Sequence, residues 1–242
     1  MKKFALVCGA SGAIGQAICK KMAAEGWSLY LHYNSGAQRV ADLTNQFDQH
    51  YPQQEFIPVQ ADFAAFDAAE QLSTQIFSLQ AIIFAGGHAY YNLLDDTPAV
   101  EMEKLWRVHV QNPMLVSALL SRKLRNNGTS YILMIGSIWG EAGAAGEVVY
   151  SAVKGAQHSF VKAYAQEAAY SGIRVNAIAP GFIDTSMNQH LAEAERQAII
   201  EDIPLQAPGQ TEDVANLVAF YVSGAADYVT GQIIRVNGGW YI

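Results

Sequence analysis

Tyr150 and Lys154 stand four residues apart in Tyr150-Ser151-Ala152-Val153-Lys154, and Ser137 lies thirteen residues before the tyrosine. On a helix, residues i and i+4 share a face, which sets a phenol beside an ammonium. A neighbouring positive charge favours the phenolate and lowers the phenol pKa from its usual value of about 10. A tyrosine tuned in this way gives a proton to a developing alkoxide and recovers it later. Ser137, at the end of an expected strand, would hydrogen-bond the same oxygen. The set is suited to interconverting a carbonyl and an alcohol. A tyrosine and a lysine at this spacing also make an ordinary helix-surface pair, so the reading needs a second feature.

That feature is at the other end of the chain. The apolar run Phe4-Ala5-Leu6-Val7-Cys8 suits a buried strand, and Gly9-Ala10-Ser11-Gly12-Ala13-Ile14-Gly15 follows at once. A helical pattern then runs through Ile18, Met22 and Ala23 and ends near Gly26. Strand, glycine turn and helix is the context of a dinucleotide-binding loop. The glycines let the backbone approach a pyrophosphate, and the helix N-terminus favours its charge. The spacing is G-x-x-G-x-x-G, not the strict G-x-G-x-x-G.

With both features in place, the whole chain resembles the short-chain dehydrogenase/reductase family. Gly9, Ser11, Gly12, Ile14 and Gly15 match its cofactor loop; Ser137, Tyr150 and Lys154 match its catalytic residues. Asp62 matches the acid after the third strand that contacts the adenine. Asn176-Ala177-Ile178-Ala179-Pro180-Gly181 matches the segment beneath the nicotinamide, and Val236-Asn237-Gly238-Gly239 matches the C-terminal strand and turn. The resemblance implies cofactor contacts from Ala13, Ala85, Gly86, Pro180, Gly181 and Ile183 as well, and from Tyr150 and Lys154. It implies that Lys154 lowers the Tyr150 pKa and binds the nicotinamide ribose.

Several positions depart from the family pattern. Cys8 stands for the usual Thr, and Ala13 for a loop glycine. The usual Asn-Asn-Ala-Gly is Ile83-Phe84-Ala85-Gly86, which leaves open how that strand is tied to its neighbour. Many members carry an Asn on the long central helix that supports a water-mediated proton relay to the lysine. His109 is the best match here; it is either a relay residue able to titrate near neutrality or a packed histidine.

The second strand, Leu29-Tyr30-Leu31-His32-Tyr33-Asn34, has no Asp or Glu at its end to bind a ribose 2′-hydroxyl. Asn34 and Ser35 are neutral and would accept a 2′-phosphate, with Arg39 within reach. NADP(H) is therefore expected over NAD(H).

These groups need a scaffold that brings them to one cleft. Strands are expected near 3–8, 28–33, 55–60, 80–85, 130–136, 173–178 and 232–236, and helices near 13–25, 37–49, 67–77, 99–126, 149–170 and 211–222. Such alternation gives an α/β fold, a Rossmann-like doubly wound parallel sheet of about seven strands with helices on both faces. Residues 1–242 suffice for a single dinucleotide-binding and catalytic domain, and 51% hydrophobic against 15% charged residues suits a buried sheet. Gly9, Ser137, Tyr150 and Pro180 all fall near carboxyl ends of strands, where such sheets bind ligands. The segment 182–208 resembles the family's mobile substrate flap. The helices near 99–126 and 149–170 resemble those that pair between subunits in family tetramers; a homotetramer is expected, with a dimer as the alternative. Burial in a subunit interface would explain the apolar tail Trp240-Tyr241-Ile242.

A net charge of −7 argues against nucleic acid and anionic membranes as partners. No signal segment or apolar run long enough for a bilayer is apparent, and no cluster has metal-ligand spacing. Cys8 and Cys19 form no disulfide framework, so a cytoplasmic protein with reduced thiols is expected.

The broadest resemblance is to 3-oxoacyl-[acyl-carrier-protein] reductases, whose substrate rides on an acidic carrier. Arg122, Lys123, Arg125 and Arg174 would contribute to a basic docking surface, yet Ser171 stands where carrier users often have a basic residue. Around the site run Ser137-Ile138-Trp139-Gly140-Glu141 and Glu147. Two carboxylates and an indole suit a cationic substrate. The same stretch, with Lys154-Gly155-Ala156-Gln157, is similar to the branch holding the elongation factor P 5-aminopentanone reductases, which reduce a ketone on a modified lysine. His88, Tyr90 and Tyr91 are further candidates for the pocket wall. A third expectation, of another class, is an NADP-binding sensor or structural protein with little turnover.

Overall fold

Seven short runs rich in aliphatic residues pair into one parallel sheet of order β3-β2-β1-β4-β5-β6-β7. They are β1 (Lys3–Cys8), β2 (Trp27–Tyr33), β3 (Phe56–Gln60), β4 (Ala81–Phe84), β5 (Ser130–Ile135), β6 (Ile173–Pro180) and β7 (Ile233–Val236). The computed structural model describes residues 2–188 and 191–241. Residues 189 and 190 of the expected flap, and Ile242 of the tail, lie outside them.

Side chains alternate across each strand, so Ala5 and Val7 enter one core layer while Phe4, Leu6 and Cys8 enter the other. Helices α1 (Ala13–Ala24), α2 (Ala37–His50) and α9 (Thr211–Val222) cover the first face. The second is covered by α3 (Ala68–Thr74), α5 (Asn112–Leu124) and α7 (Val148–Ala168). Both faces of the sheet are buried, which is why its strands read as unbroken apolar runs. The strand carrying Ile83 and Phe84 needs no asparagines to hold it. It pairs with β1 and β5 along its length, and Ala85 N donates to the Cys8 carbonyl at 2.9 Å.

The single helix expected over 99–126 is interrupted. α4 (Ala99–Trp106) passes into a π-helical turn, Arg107–Gln111, before α5 begins. Pro113 accounts for the break: it has no N–H to offer the carbonyl four residues back, that of His109. Such turns cluster at functional sites, and this one carries His109.

The segment 182–208 contains a short turn at Ser186–Asn188 and the polar helix α8 (Glu193–Asp202). It is pinned at its base by an Ile183–Gly209 bridge and by an Arg196–Asp184 pair at 3.0 Å. Between α4 and α7 runs an open apolar groove formed by Phe66, Met102, Trp106, Val149 and Val153, with Phe66 77% and Trp106 48% exposed. No helix among the described residues is long and apolar enough to cross a membrane.

Candidate active site

Ser137 follows β5, and Tyr150 and Lys154 lie on the first turns of α7, so one strand end and one helix start bring the three together. All are buried. Ser137 Oγ accepts from the Trp139 N–H at 3.1 Å, which turns its own hydrogen bonding toward Tyr150. Lys154 Nζ lies 5.5 Å from the Tyr150 ring centre and donates to the Ile135 carbonyl at 2.9 Å and to Gln157 Oε1 at 3.2 Å.

The electrostatics differ from expectation. Burial pushes Lys154 down to about 7, so near neutrality it is only partly charged. Burial holds the Tyr150 phenol above its usual range; Glu147 and Tyr91 add to this, and the Ser137 hydrogen bond opposes it. The phenol is therefore a loaded proton donor. His109 is also corrected. Burial, then Lys154, holds it well below the usual imidazole range, so it does not titrate near neutrality. Its ring packs edge-on against Tyr150 at 5.6 Å, and its Nε2 pairs with the His88 carbonyl at 2.9 Å. Its own carbonyl, on the expected relay path, is reached by Gln157 Nε2 at 2.6 Å.

A cavity of about 320 Å³ opens along the glycine loop, lined among others by Gly9, Ser11, Gly12, Asn34, Ser35 and Asp62. Ala85 and Gly86 line it as well and pass into a second cavity with Ile14, Pro180, Gly181 and Ile183. Ala13 and Gly15 open α1 without lining either cavity. Gly9 has φ of +86°, and a Cβ there would overlap the Gly86 backbone; one at Gly15 would overlap the Gly9 carbonyl. The loop thus lies flat across β1 and β4 and leaves a cradle fitting a dinucleotide. Asn34 Nδ2 donates to Asp62 Oδ1 at 3.1 Å, joining the ends of β2 and β3.

His32 is a residue the sequence reading passed over as a strand member. Its Nδ1 accepts from the Gly9 N–H at 3.2 Å, and its Nε2 donates to the Ala61 carbonyl at 3.1 Å, a tautomer assigned from these partners. Only the neutral ring makes both bonds. Burial lowers its pKa to about 4, and His158 is lowered to about 4 in the same way. Both rings take up a proton more readily in the unfolded chain, so their contribution to stability is full above about pH 6.5 and is lost as pH falls towards 4. His32→Gln keeps a donor and an acceptor but does not titrate. Between pH 6.5 and 4.5 its urea-unfolding free energy should fall by roughly 2 kcal/mol less than that of the parent. Equal slopes would show that the ring is not held neutral.

The substrate side is a cavity of about 140 Å³ over Ser137, Tyr150 and Lys154, continuing into one of about 130 Å³ toward α8. Glu147, Trp139 and Tyr91 line both; Trp240 closes the second, with Leu191 and Ile199 from the flap segment. Glu147 occupies the N-cap position of α7, one turn before Tyr150, with no capping bond from its side chain. The Tyr91 phenol is raised to about 12 by burial and then by Glu147. Trp139 packs against Trp240 at 5.3 Å and Tyr241 at 5.5 Å, so the tail is engaged by its own chain.

Two expected pocket residues fall elsewhere. Glu141 is turned by the short helix α6 (Trp139–Ala142) onto Arg235 of β7, at 2.7 Å, and lines neither cavity. His88 lines the cofactor cavity instead. The expected basic residues lie away from the cleft. Lys123 is spent on the Ser73 and Ile76 carbonyls and Arg174 on that of Asp227. Arg125 and Arg174 lie by the starts of β5 and β6, at the end of the strands opposite the cleft. No group of three or more metal-ligating side chains occurs among the described residues.

A family model described as enoyl-(acyl carrier protein) reductase matches residues 9–241. An uncharacterized oxidoreductase of Bacillus subtilis, YmfI, is 40% identical over 242 residues, covering 100% of both chains. The 3-oxoacyl-[acyl-carrier-protein] reductase FabG of Pseudomonas aeruginosa is 33% identical, covering 99% of this chain and 98% of its own. The crystal structure of a blue fluorescent protein from a metagenomic library, in complex with NADPH, superposes with a TM-score of 0.90 at 27% identity, covering 99% of this chain and 98% of the other.

Proposed function

The chain belongs to the short-chain dehydrogenase/reductase family, and from that premise we propose that it is an NADPH-dependent reductase of a ketone that itself bears an amine. A 5-aminopentanone on a modified protein lysine, the substrate of the elongation factor P branch, has this chemistry. The carrying observation is Glu147, a carboxylate in the same cavity as Tyr150 with Trp139 and Tyr91 beside it. A carboxylate flanked by aromatic faces suits an ammonium. It would repel a carboxylate and gains nothing from an acyl chain.

Preference for NADPH over NADH rests on the end of β2. It carries Asn34 and Ser35 and no acid, and the Arg39 guanidinium lies beside Gly36 near Ser11. When bound, the cofactor supplies the hydride. Ser137 orients the ketone oxygen. Tyr150 gives that oxygen its proton. Lys154, held by Ile135 and Gln157, carries the charge that settles the phenolate once the proton has left. Glu147 fixes the amine end, and Trp139 and Trp240 keep water from the far end of the pocket.

The second reading is reduction of a 3-oxoacyl thioester on acyl carrier protein, favoured by the 33% identity with FabG. NADPH oxidation by the purified protein separates the two. A peptide bearing an aminopentanone-modified lysine should be turned over at least about tenfold more efficiently than an acetoacetyl thioester, as one carboxylate–ammonium contact is worth. The reverse order would give the site to the thioester. Absence of turnover with either, with NADPH still bound, would leave the sensor reading.

The groove between α4 and α7 suits pairing with a second copy, toward a homotetramer. A monomer in sedimentation equilibrium would end that view. Cys8 and Cys19 are free and buried, as suits a cytoplasmic protein.

A further inference from the structure

Gln157 lies one turn beyond Lys154 on the buried face of α7 and is 3% exposed. Its amide uses both ends. Oε1 accepts from Lys154 Nζ at 3.2 Å, and Nε2 donates to the His109 carbonyl at 2.6 Å. That carbonyl is the one for which Pro113 has no N–H, so the π turn supplies an acceptor facing α7. The two features lie 44 and 48 positions apart from Gln157 in the chain and fit together only in the fold.

We propose that Gln157 is a positioning residue for the reaction: its side-chain amide clamps Lys154 to the His109 carbonyl of the π turn and fixes the ammonium below Tyr150. This rests on the reductase reading. The clamp has a chemical consequence. A carboxamide holds its protons too tightly to pass them on at ordinary pH, so the Lys154–Gln157–His109 path transmits position and charge but no proton.

Lys154 is faced by Tyr150 and the uncharged Gln157 on α7, by His109 on the π turn and by His158 further along α7; β5 presents only the Ile135 carbonyl. Among the described residues no carboxylate accepts from its Nζ, so Gln157 Oε1 is one of two acceptors favouring the charged form. Removing an acceptor from a buried ammonium lowers its pKa, and replacing it by a carboxylate raises it.

The test is a titration of the Lys154 ε-carbon by NMR in 13C-lysine-labelled protein with NADPH bound, in the parent, Gln157→Met and Gln157→Glu. The Lys154→Met spectrum assigns the signal. The ionisation should move down by about one pH unit in Gln157→Met and up by a similar amount in Gln157→Glu. The pH profile of kcat should move in the same directions, with kcat about tenfold lower in Gln157→Met. If both variants fold and neither the titration nor the profile moves, Gln157 is only packing and the proposal falls. The titration needs no substrate, so a protein that reduces no ketone but shows the two opposed shifts keeps the clamp and loses the reductase reading.

Discussion

Tyr150→Phe should lower kcat for ketone reduction by about a thousandfold, within the range that a lost general acid costs, and leave NADPH affinity within about twofold. The substitution removes one oxygen from a buried ring that touches the His109 ring edge-on and leaves that packing in place. What it removes is the proton. The phenol is held in its protonated form by burial, by Glu147 and by Tyr91, so at neutral pH nearly every molecule carries the proton needed for reduction. Stopped-flow NADPH oxidation measures the first quantity and fluorescence titration of NADPH the second. A variant that keeps more than a tenth of the rate would transfer the proton donation to another group.

Glu147→Gln should separate substrates rather than abolish turnover. For an amino ketone, kcat/KM should fall by about ten- to a hundredfold, the cost of about 1.5–3 kcal/mol for a charged hydrogen bond. For a neutral ketone of similar size it should stay within about threefold. The same substitution removes a charge that raises both Tyr150 and Tyr91, so neither phenol should be harder to ionise in the variant. Steady-state kinetics on the two substrates decides the matter. Equal losses on both would mean that Glu147 supports Tyr150 and does not select the amine. Glu141 serves as the internal control, because its carboxylate is already paired with Arg235.

Much of the scaffold is legible in the chain. The seven strands are apolar because both faces of a parallel sheet are covered, and an unbroken apolar run is the simplest pattern to read. Ser137, Tyr150 and Lys154 are legible because a helix repeat and a strand end fix their relation. What escapes the sequence depends on directions that only packing sets. Glu141 and Glu147 look equivalent on the page; one turn of α6 sends the first to β7 and leaves the second in the pocket. His32 reads as an ordinary strand residue until the glycine loop folds over it. Pro113 was in plain view as a helix breaker, and the break at Arg107–Gln111 was readable from it. The partner of the freed carbonyl, Gln157 on another helix, was not.

The aromatic contact between Trp139 and Trp240 ties the last few residues of the chain to the loop that follows Ser137. The two chain ends therefore differ in what can be attached to them. A bulky group attached beside Tyr241 would crowd the mouth of the substrate pocket, whereas one attached ahead of β1 emerges at the end of the strands opposite the cleft. The same arrangement gives natural variation an inexpensive handle: substitutions at Trp240 and Tyr241 would reshape substrate range while leaving Ser137, Tyr150, Lys154 and the sheet beneath them as they are.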